Sequence, residues 1–408
     1  MTKFIASSIA SFIVFLTPVL SQNSIFKTKE AQIISNEDSL LTNKDNQTVI
    51  SGYGSAFYQH NKNTEQANMN LERAVLFVGH KFNNKISLFT EMEVENAKVE
   101  GGNNGELAFE QAYLRFNFTP SSYLVAGLFV PRIGIINENH LPVNFNGVER
   151  TMVEQIIIPA TWRELGVGYY GYSKRLPLHY SIALLNGLNS ADFAHGNGIR
   201  EGRYEGNNAN ATSLALTSSI QYNVSDFKFQ VSGYIGGSAG LTKKDADSLH
   251  LNNSVFGSTV YLGEANIQYN HNAFNAKLLG TYISIPDVDK INNAYNNNIA
   301  SGMLGTYAEL SYDWLFKKHK TEQLISFVRY EFIDLNSSIS SSNTNYDGTL
   351  KQSHFLLGVG YLPIPNVVIK ADIRIQNTGD QNPLLSTSNT LPYSANNQFI
   401  NIGIGYSF

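Results

Sequence analysis

The stretch that decides the fold is residues 400–408, which read INIGIGYSF. Isoleucine, tyrosine or phenylalanine occupies every second position, and asparagine, glycine or serine occupies the positions between them. Because the side chains of a β-strand point alternately to its two faces, this pattern predicts a strand with one apolar face and one small, polar face. A strand of a soluble sandwich can show the same alternation, so the rest of the chain has to distinguish a sandwich from a membrane barrel.

The same alternation recurs along the chain, and short turns alternate with long connections such as 135–161 and 189–211. Short turns at one end and long loops at the other are typical of outer-membrane barrels. Together with the terminal aromatic residue Phe408, this predicts an all-β fold, a transmembrane antiparallel β-barrel of about 16 strands, with 18 as the alternative. The lumen of such a barrel is too wide for wall side chains to fill, so we expect it to hold water. The predicted segments lie near 49–58, 70–82, 85–97, 106–118, 122–131, 163–173, 178–187, 212–222, 227–237, 258–269, 273–284, 303–313, 323–333, 353–362, 366–375 and 398–408.

The N-terminal residues predict export. Lys3 is followed by an uncharged, mostly apolar run over residues 4–20, and Ser21 is small enough for a cleavage site. This layout is typical of a secretory signal peptide at 1–21, although a run of this length could also be a membrane-anchoring helix. Residues 22–47 are polar and are predicted to form a periplasmic extension, and residues 48–408 are predicted to form the barrel.

The composition agrees with an exported membrane protein. The chain has no cysteine, so disulfides and thiol chemistry are not available to it. It carries 29 Lys and Arg against 33 Asp and Glu, a mildly acidic balance that argues against a nucleic-acid partner. Its 22 Tyr and 24 Phe suit strands and the edges of a lipid-facing band.

Several stretches resemble the phosphate-selective porin O and P family. The resemblance implies a sixteen-stranded general outer-membrane porin of a diderm bacterium, a homotrimer, and a constriction loop folded into the pore. Two departures argue against phosphate selectivity: Glu72-Arg73 stands where the family usually has two arginines, and Glu91, Glu93 and Glu95 place three acids on one strand face. The stretches that carry the resemblance are 69–81, 109–116, 127–134, 149–166, 327–334 and 357–370.

Charged residues are the candidates for pore selectivity, because a pore selects by the charge and width of its constriction. The plug is predicted at 141–162, with an alternative in which its charges only pin the loop to the wall. Charges in wall strands are predicted to face the lumen, since an Arg or Lys facing mid-bilayer lipid costs about 2–4 kcal/mol. We expect mild cation preference from the net charge and the acidic strand face. The constriction candidates are Glu149, Arg150, Glu154 and Arg163. The wall candidates are Glu91, Glu93, Glu95, Arg115, Arg329, Glu331, Lys370, Asp372 and Arg374.

The chain is not expected to be an enzyme. Its 9 histidines are scattered without a His-Glu-x-x-His motif, and no cofactor, catalytic or metal site is predicted. The predicted function is passive diffusion of small hydrophilic solutes or ions, and the alternative is a barrel that presents long surface loops for adhesion or ligand binding. The expected partners are outer-membrane lipid, the transported solutes, the barrel assembly machinery and further copies of the chain. The expected location is the outer membrane, crossed many times.

Overall fold

The computed structural model describes residues 47–97, 105–319, 321–340, 346–382 and 394–408. The predicted signal peptide and residues 22–46 of the predicted extension lie outside the described residues. Gln47 already belongs to the first strand, one residue before the predicted start of the barrel.

The described residues contain sixteen strands, which form one closed barrel. Each strand pairs antiparallel with its neighbours in sequence, and each predicted segment corresponds to one strand. The prediction of a sixteen-stranded transmembrane barrel is confirmed. The strands are β1 (Gln47–Asn61), β2 (Gln66–Lys81), β3 (Ile86–Glu95), β4 (Glu106–Thr119), β5 (Ser122–Phe129), β6 (Glu164–Tyr172), β7 (Leu178–Asn186), β8 (Leu214–Val224), β9 (Phe227–Gly236), β10 (Val260–His271), β11 (Phe274–Ser284), β12 (Gly302–Asp313), β13 (Gln323–Ser338), β14 (Lys351–Ile364), β15 (Val367–Thr378) and β16 (Asn396–Ser407).

The C-terminal strand closes the barrel against β1. Phe408 donates its backbone N–H to the carbonyl of Gly52 at 2.8 Å, and Gly52 donates back to the Phe408 carbonyl at 3.1 Å. Ile402 and Ile404 on its outer face are 49% and 55% exposed, whereas Asn401 on the inner face is 1% exposed. The alternation read from the sequence therefore separates a lipid-facing wall from an inner wall.

The connections differ at the two ends of the barrel. At the end that holds Phe408, the short-turn end, most strands are joined by a few residues; at the opposite, long-loop end, most connections are long. One exception is the link between β1 and β2, where both strands run further than predicted and only residues 62–65 remain. Among the described residues, no helix is long and apolar enough to cross a membrane. The long connections contain the helices α1 (Met152–Ile156), α2 (Lys243–Ser248) and α3 (Val288–Tyr295).

The connection between β5 and β6, residues 130–163, folds into the lumen and is called here the inward loop. It begins before the predicted plug at 141–162 and includes α1. Ile133, Val153, Ile157 and Trp162 of this loop have no exposed surface, because they pack against one another and against the inner wall. The lumen is therefore not equally wide along its whole length, as the strand count alone suggested, but is narrowed by apolar packing at the level of the loop.

Candidate functional site

The inward loop lies between two cavities. The short-turn cavity, of about 580 Å³, is lined by residues of the inward loop such as Asn144 and Asn146, by Asp226 in the turn between β8 and β9, and by Lys370 on β15. The long-loop cavity, of about 840 Å³, lies on the other side of the loop. Any solute that crosses the barrel has to pass the loop between these two spaces.

Glu154 holds the inward loop together from within. One carboxylate oxygen accepts the backbone N–H groups of Ile135 and Ile136 at 2.6 and 2.7 Å. The other accepts the hydroxyls of Thr151 at 3.0 Å and of Tyr307, on β12, at 2.9 Å. Burial raises the pKa of Glu154 despite these four donors. Glu154 has no exposed surface and lines neither cavity, so it braces the loop instead of facing a solute.

Glu149 and its neighbours fasten the loop to β15. The Arg374 guanidinium lies 3.1 Å from the Glu149 carboxylate. Lys370 donates to the carbonyl of Gly147 at 2.9 Å, and Asp372 accepts the backbone N–H of Val148 at 2.7 Å. Burial raises the pKa of Glu149, although Arg374 opposes this shift. The contacts of Glu149 are therefore those of a charge that holds the loop to the wall, which is the alternative to a direct role in selectivity.

A second group of contacts between the inward loop and the wall involves β12 and β13. Arg329 contacts Glu309 at 2.7 Å and Glu331 at 3.3 Å. Glu331 in turn accepts the backbone N–H of Val153 at the start of α1, at 3.0 Å. All three charged side chains are almost fully buried, so each depends on its partners for compensation.

The acidic face of β3 is compensated by arginines. Arg73 lies 3.2 Å from Glu93 and 3.6 Å from Glu95. Arg163 lies 3.7 Å from Glu93 and 2.7 Å from Glu205 in the connection between β7 and β8. Two of the three acids that suggested cation preference, Glu93 and Glu95, therefore face arginines, and the third, Glu91, lies beside His140 and Gln111.

Two of the four constriction candidates, Arg150 and Arg163, line the long-loop cavity. Arg150 is 5% exposed, and within the described part of the chain one of its terminal nitrogens, Nη2, has no hydrogen-bond partner. Among the wall candidates, Glu95 reaches this cavity and Lys370 reaches the short-turn cavity. Arg115 lies elsewhere, stacked 3.6 Å from the ring centre of Tyr123.

Glu91, a wall candidate, belongs to a buried cluster that sequence reasoning missed. Its partners are Glu110 on β4 and His140 in the inward loop, and all three side chains are buried. Glu110 lies at a β-bulge, because Glu91 pairs with Gln111 whereas the next residue, Met92, pairs with Phe109. The extra residue lets two consecutive side chains, those of Glu110 and Gln111, both point inward. The sequence carries a signal of this bulge, since the outward apolar positions of β4 are odd-numbered before residue 110 and even-numbered after it.

Residues 236–240 read GGSAG and match the Gly-x-Ser-x-Gly pattern of serine hydrolases. In the structure they begin at Gly236, the last residue of β9, and Ser238 is fully buried. The Ser238 hydroxyl donates to the backbone carbonyl of Ser258 at 2.6 Å. This serine therefore joins two loop segments, and no histidine is its partner in the described structure.

Solved structures share the fold at low sequence identity. The outer-membrane channel DcaP of Acinetobacter baumannii matches 89% of this chain and 98% of its own, with a TM-score of 0.55 and 12% identity. The anion-selective porin of Comamonas acidovorans matches 89% of this chain and 100% of its own, with a TM-score of 0.52 and 10% identity. In-vitro folded OmpT of Vibrio cholerae, in its trimer form, matches 90% and 100%, with a TM-score of 0.51 and 10% identity. The fold is that of outer-membrane porins, and its apolar outer wall requires lipid, so the protein is an outer-membrane β-barrel.

No protein-family model matches the chain. An uncharacterized protein of Aquifex aeolicus is 31% identical over 339 residues, which cover 79% of this chain and 74% of that protein. At this identity and coverage the likeness extends over most of both chains. The chain belongs to the same family as this Aquifex protein.

Proposed function

We propose that the barrel is a porin through which small hydrophilic solutes diffuse past the inward loop. The observation that carries this proposal is the position of the loop between two cavities, each at one end of the barrel and each lined by several polar and charged side chains. An apolar outer wall and a polar inner wall provide a path for water-soluble molecules through lipid. The predicted domain division fits this role, with an export signal at 1–21, a periplasmic extension at 22–47 and a pore-forming barrel after it.

Arg150 is proposed as the residue that a passing solute meets. Arg150 lines the long-loop cavity, and within the described residues its buried Nη2 atom has no hydrogen-bond partner, whereas Glu93 and Glu95 face Arg73. The acidic strand face is therefore a weak basis for cation preference, and we infer that an anionic group is favoured near Arg150. Nothing in this inference selects phosphate over other anions.

Liposome swelling tests the diffusion function. The purified full-length chain is placed in liposomes, and swelling is followed in sugars of increasing size. A porin passes the small sugars and excludes larger ones. Swelling no faster than that of liposomes containing the heat-denatured chain would refute the proposal.

The packed outer loops favour one alternative, a barrel that presents these loops to a ligand or surface. Asn297 in the connection between β11 and β12 donates to the Ser190 carbonyl at 2.7 Å, and Ser190 donates its own N–H to the Ser238 carbonyl at 2.8 Å. Three long connections therefore form one ordered surface. A chain that binds cells or glycans but gives no swelling would favour this alternative. The buried, backbone-bonded Ser238 supports our proposal that the barrel is not a serine hydrolase.

We further propose that the protein assembles as a homotrimer in the outer membrane. A shallow apolar depression of about 370 Å³ lies on the outer wall where β1, β2 and β16 meet, and Phe57, Leu71 and Ile402 line it. Such a depression can accept side chains of a neighbouring barrel. Light scattering of the detergent-solubilised protein should give the mass of three chains, and a mass of one chain would contradict the proposal.

A further inference from the structure

The cluster of Glu91, Glu110 and His140 joins the inward loop to the barrel wall. The His140 Nε2 atom lies 3.6 Å from Glu110 Oε1 and 3.9 Å from Glu91 Oε2. His140 is 2% exposed, Glu110 is 0% exposed and Glu91 is 3% exposed. One ligand atom from each residue lies within 4.8 Å of the other two. The loop and two neighbouring strands therefore direct a nitrogen and two carboxylates to a single point.

The distances do not fit direct hydrogen bonds. A nitrogen–oxygen hydrogen bond is about 2.7–3.2 Å long, and both separations exceed that range. Within the described residues, neither ring nitrogen of His140 nor Glu110 Oε1 forms a hydrogen bond of ordinary geometry, although the Asn137 backbone lies beside His140 and the Thr161 side chain beside Glu110. Two ligands of one tetrahedral ion, each about 2.0–2.2 Å from it, lie roughly 3.3–3.6 Å apart. The two separations from His140 Nε2, 3.6 and 3.9 Å, are at or slightly above the upper end of this range.

The surroundings resemble the outer contacts of a metal site. Tyr53 donates its hydroxyl to Glu110 Oε2 at 2.7 Å, and Gln111 donates to Glu91 Oε2 at 2.9 Å. Such contacts orient ligating carboxylates. Arg73 forms its ion pairs with Glu93 and Glu95, and it and Arg163 act on Glu110 only through longer-range attraction. Two buried carboxylates require positive charge close by, and a divalent ion would supply it.

We propose that Glu91, Glu110 and His140 bind a divalent transition-metal ion that fastens the inward loop to β3 and β4. One imidazole and two carboxylates suit Zn²⁺ and similar ions, with a fourth position left for water. The β-bulge at Glu110 contributes to the site, because it lets Glu110 and the adjacent Gln111, which donates to Glu91, both lie on the inner face of β4. The ion would act as a cross-link between a loop and a wall that are joined otherwise by hydrogen bonds and ion pairs.

Metal binding is tested on the full-length, folded chain after chelator treatment and dialysis. Isothermal titration with Zn²⁺ should give one ion per chain, and Co²⁺ should produce the visible absorption of a site with nitrogen and oxygen ligands. His140→Gln and Glu110→Gln should each lose the stoichiometric binding. His354→Gln is the matched control, because His354 is also buried, at 1% exposure, but lies outside the cluster. Heat-dependent migration on gels checks that each variant is folded.

Failure of this proposal is distinct from failure of the porin function. If the wild-type chain binds no stoichiometric ion and gives no Co²⁺ spectrum, the cluster is only an ion pair between histidine and two acids. If His140→Gln and Glu110→Gln still bind one ion per chain, the metal binds elsewhere and the assignment is wrong. A chain that binds Zn²⁺ but fails to swell liposomes would overturn the porin proposal alone. If one variant does not fold, the other decides where the ion binds, and a wild-type chain without stoichiometric binding still refutes the proposal.

Discussion

Replacing Glu154 with alanine should release the inward loop without unfolding the barrel. The alanine removes the acceptor of two buried backbone N–H groups, those of Ile135 and Ile136, and of two hydroxyls. A buried donor left without a partner costs about 1–3 kcal/mol. The hydroxyls can turn to other acceptors but the two amides cannot, so we expect a loss of about 3 kcal/mol in loop docking. The strands keep their own ladders, and their stability should change little.

Hydrogen exchange measures this loss at the two amides themselves. A loss of about 3 kcal/mol corresponds to roughly a hundredfold faster exchange at Ile135 and Ile136. The emission of Trp162, which is fully buried in the loop, should shift toward the red in the same variant. Glu154→Gln is the matched control, because its amide oxygen can still accept both N–H groups, and its exchange should stay within about tenfold of wild type. Unchanged exchange in Glu154→Ala would refute the argument that this carboxylate braces the loop.

Three further predictions follow from other contacts. Arg150→Gln should lower the ratio of anion to cation permeability by up to about fivefold, since one charge at 4 Å in water contributes about 1 kcal/mol. Reversal potentials measure this ratio. Arg115→Gln is the control, because Arg115 lines neither cavity and its replacement should leave the ratio unchanged. Burial opposes the charged form of Glu138 in the inward loop, but Lys228 and Arg132 outweigh this effect and hold the pKa of Glu138 below its usual value. Docking of the loop should therefore weaken as the pH falls from above about 4.3 through that lowered pKa, and Trp162 emission follows the change. Glu138→Gln should abolish this pH dependence. Gly405→Ala should displace the inward loop, because the new Cβ would lie 2.6 Å from Pro142 of that loop, whereas a Cβ on Gly360 would meet nothing nearer than 3.8 Å. Equal hydrogen exchange of the loop in Gly405→Ala and Gly360→Ala would contradict this steric argument.

The wall could be predicted from the sequence because its pattern is local. Each strand needs only its own alternation and the turn after it, and sixteen segments found in this way are the sixteen strands of the described barrel. Strand ends were less accurate at the long-loop end, where β13 continues to Ser338 beyond the predicted residue 333. There the paired strands extend past the lipid band, so apolar alternation no longer marks them.

The contacts of the inward loop could not be predicted, because they join residues far apart in sequence. Glu154 was identified as a charged loop residue, but its partner Tyr307 is 153 positions away. The same holds for Glu149, whose partner Arg374 lies on β15. A charge in a loop looks the same in the sequence whether it braces the loop or faces a solute. Arg150 differs from Glu149 and Glu154 in its contacts in the structure, but nothing in the sequence around it marks this difference.

The glycines of the C-terminal strand connect the predicted wall to the unpredicted loop. In the sequence, Gly403 and Gly405 indicate only that the inner face of this strand is made of small residues. In the structure, a Cβ on Gly403 would lie 2.9 Å from Val148, and one on Gly405 would lie 2.6 Å from Pro142. Real Cβ atoms do not approach other atoms this closely without displacement, so the absence of a side chain at these positions is what lets the loop reach the wall. The alternation of residues 400–408 thus specifies two surfaces: isoleucines and aromatics that lipid covers, and glycines that the inward loop covers.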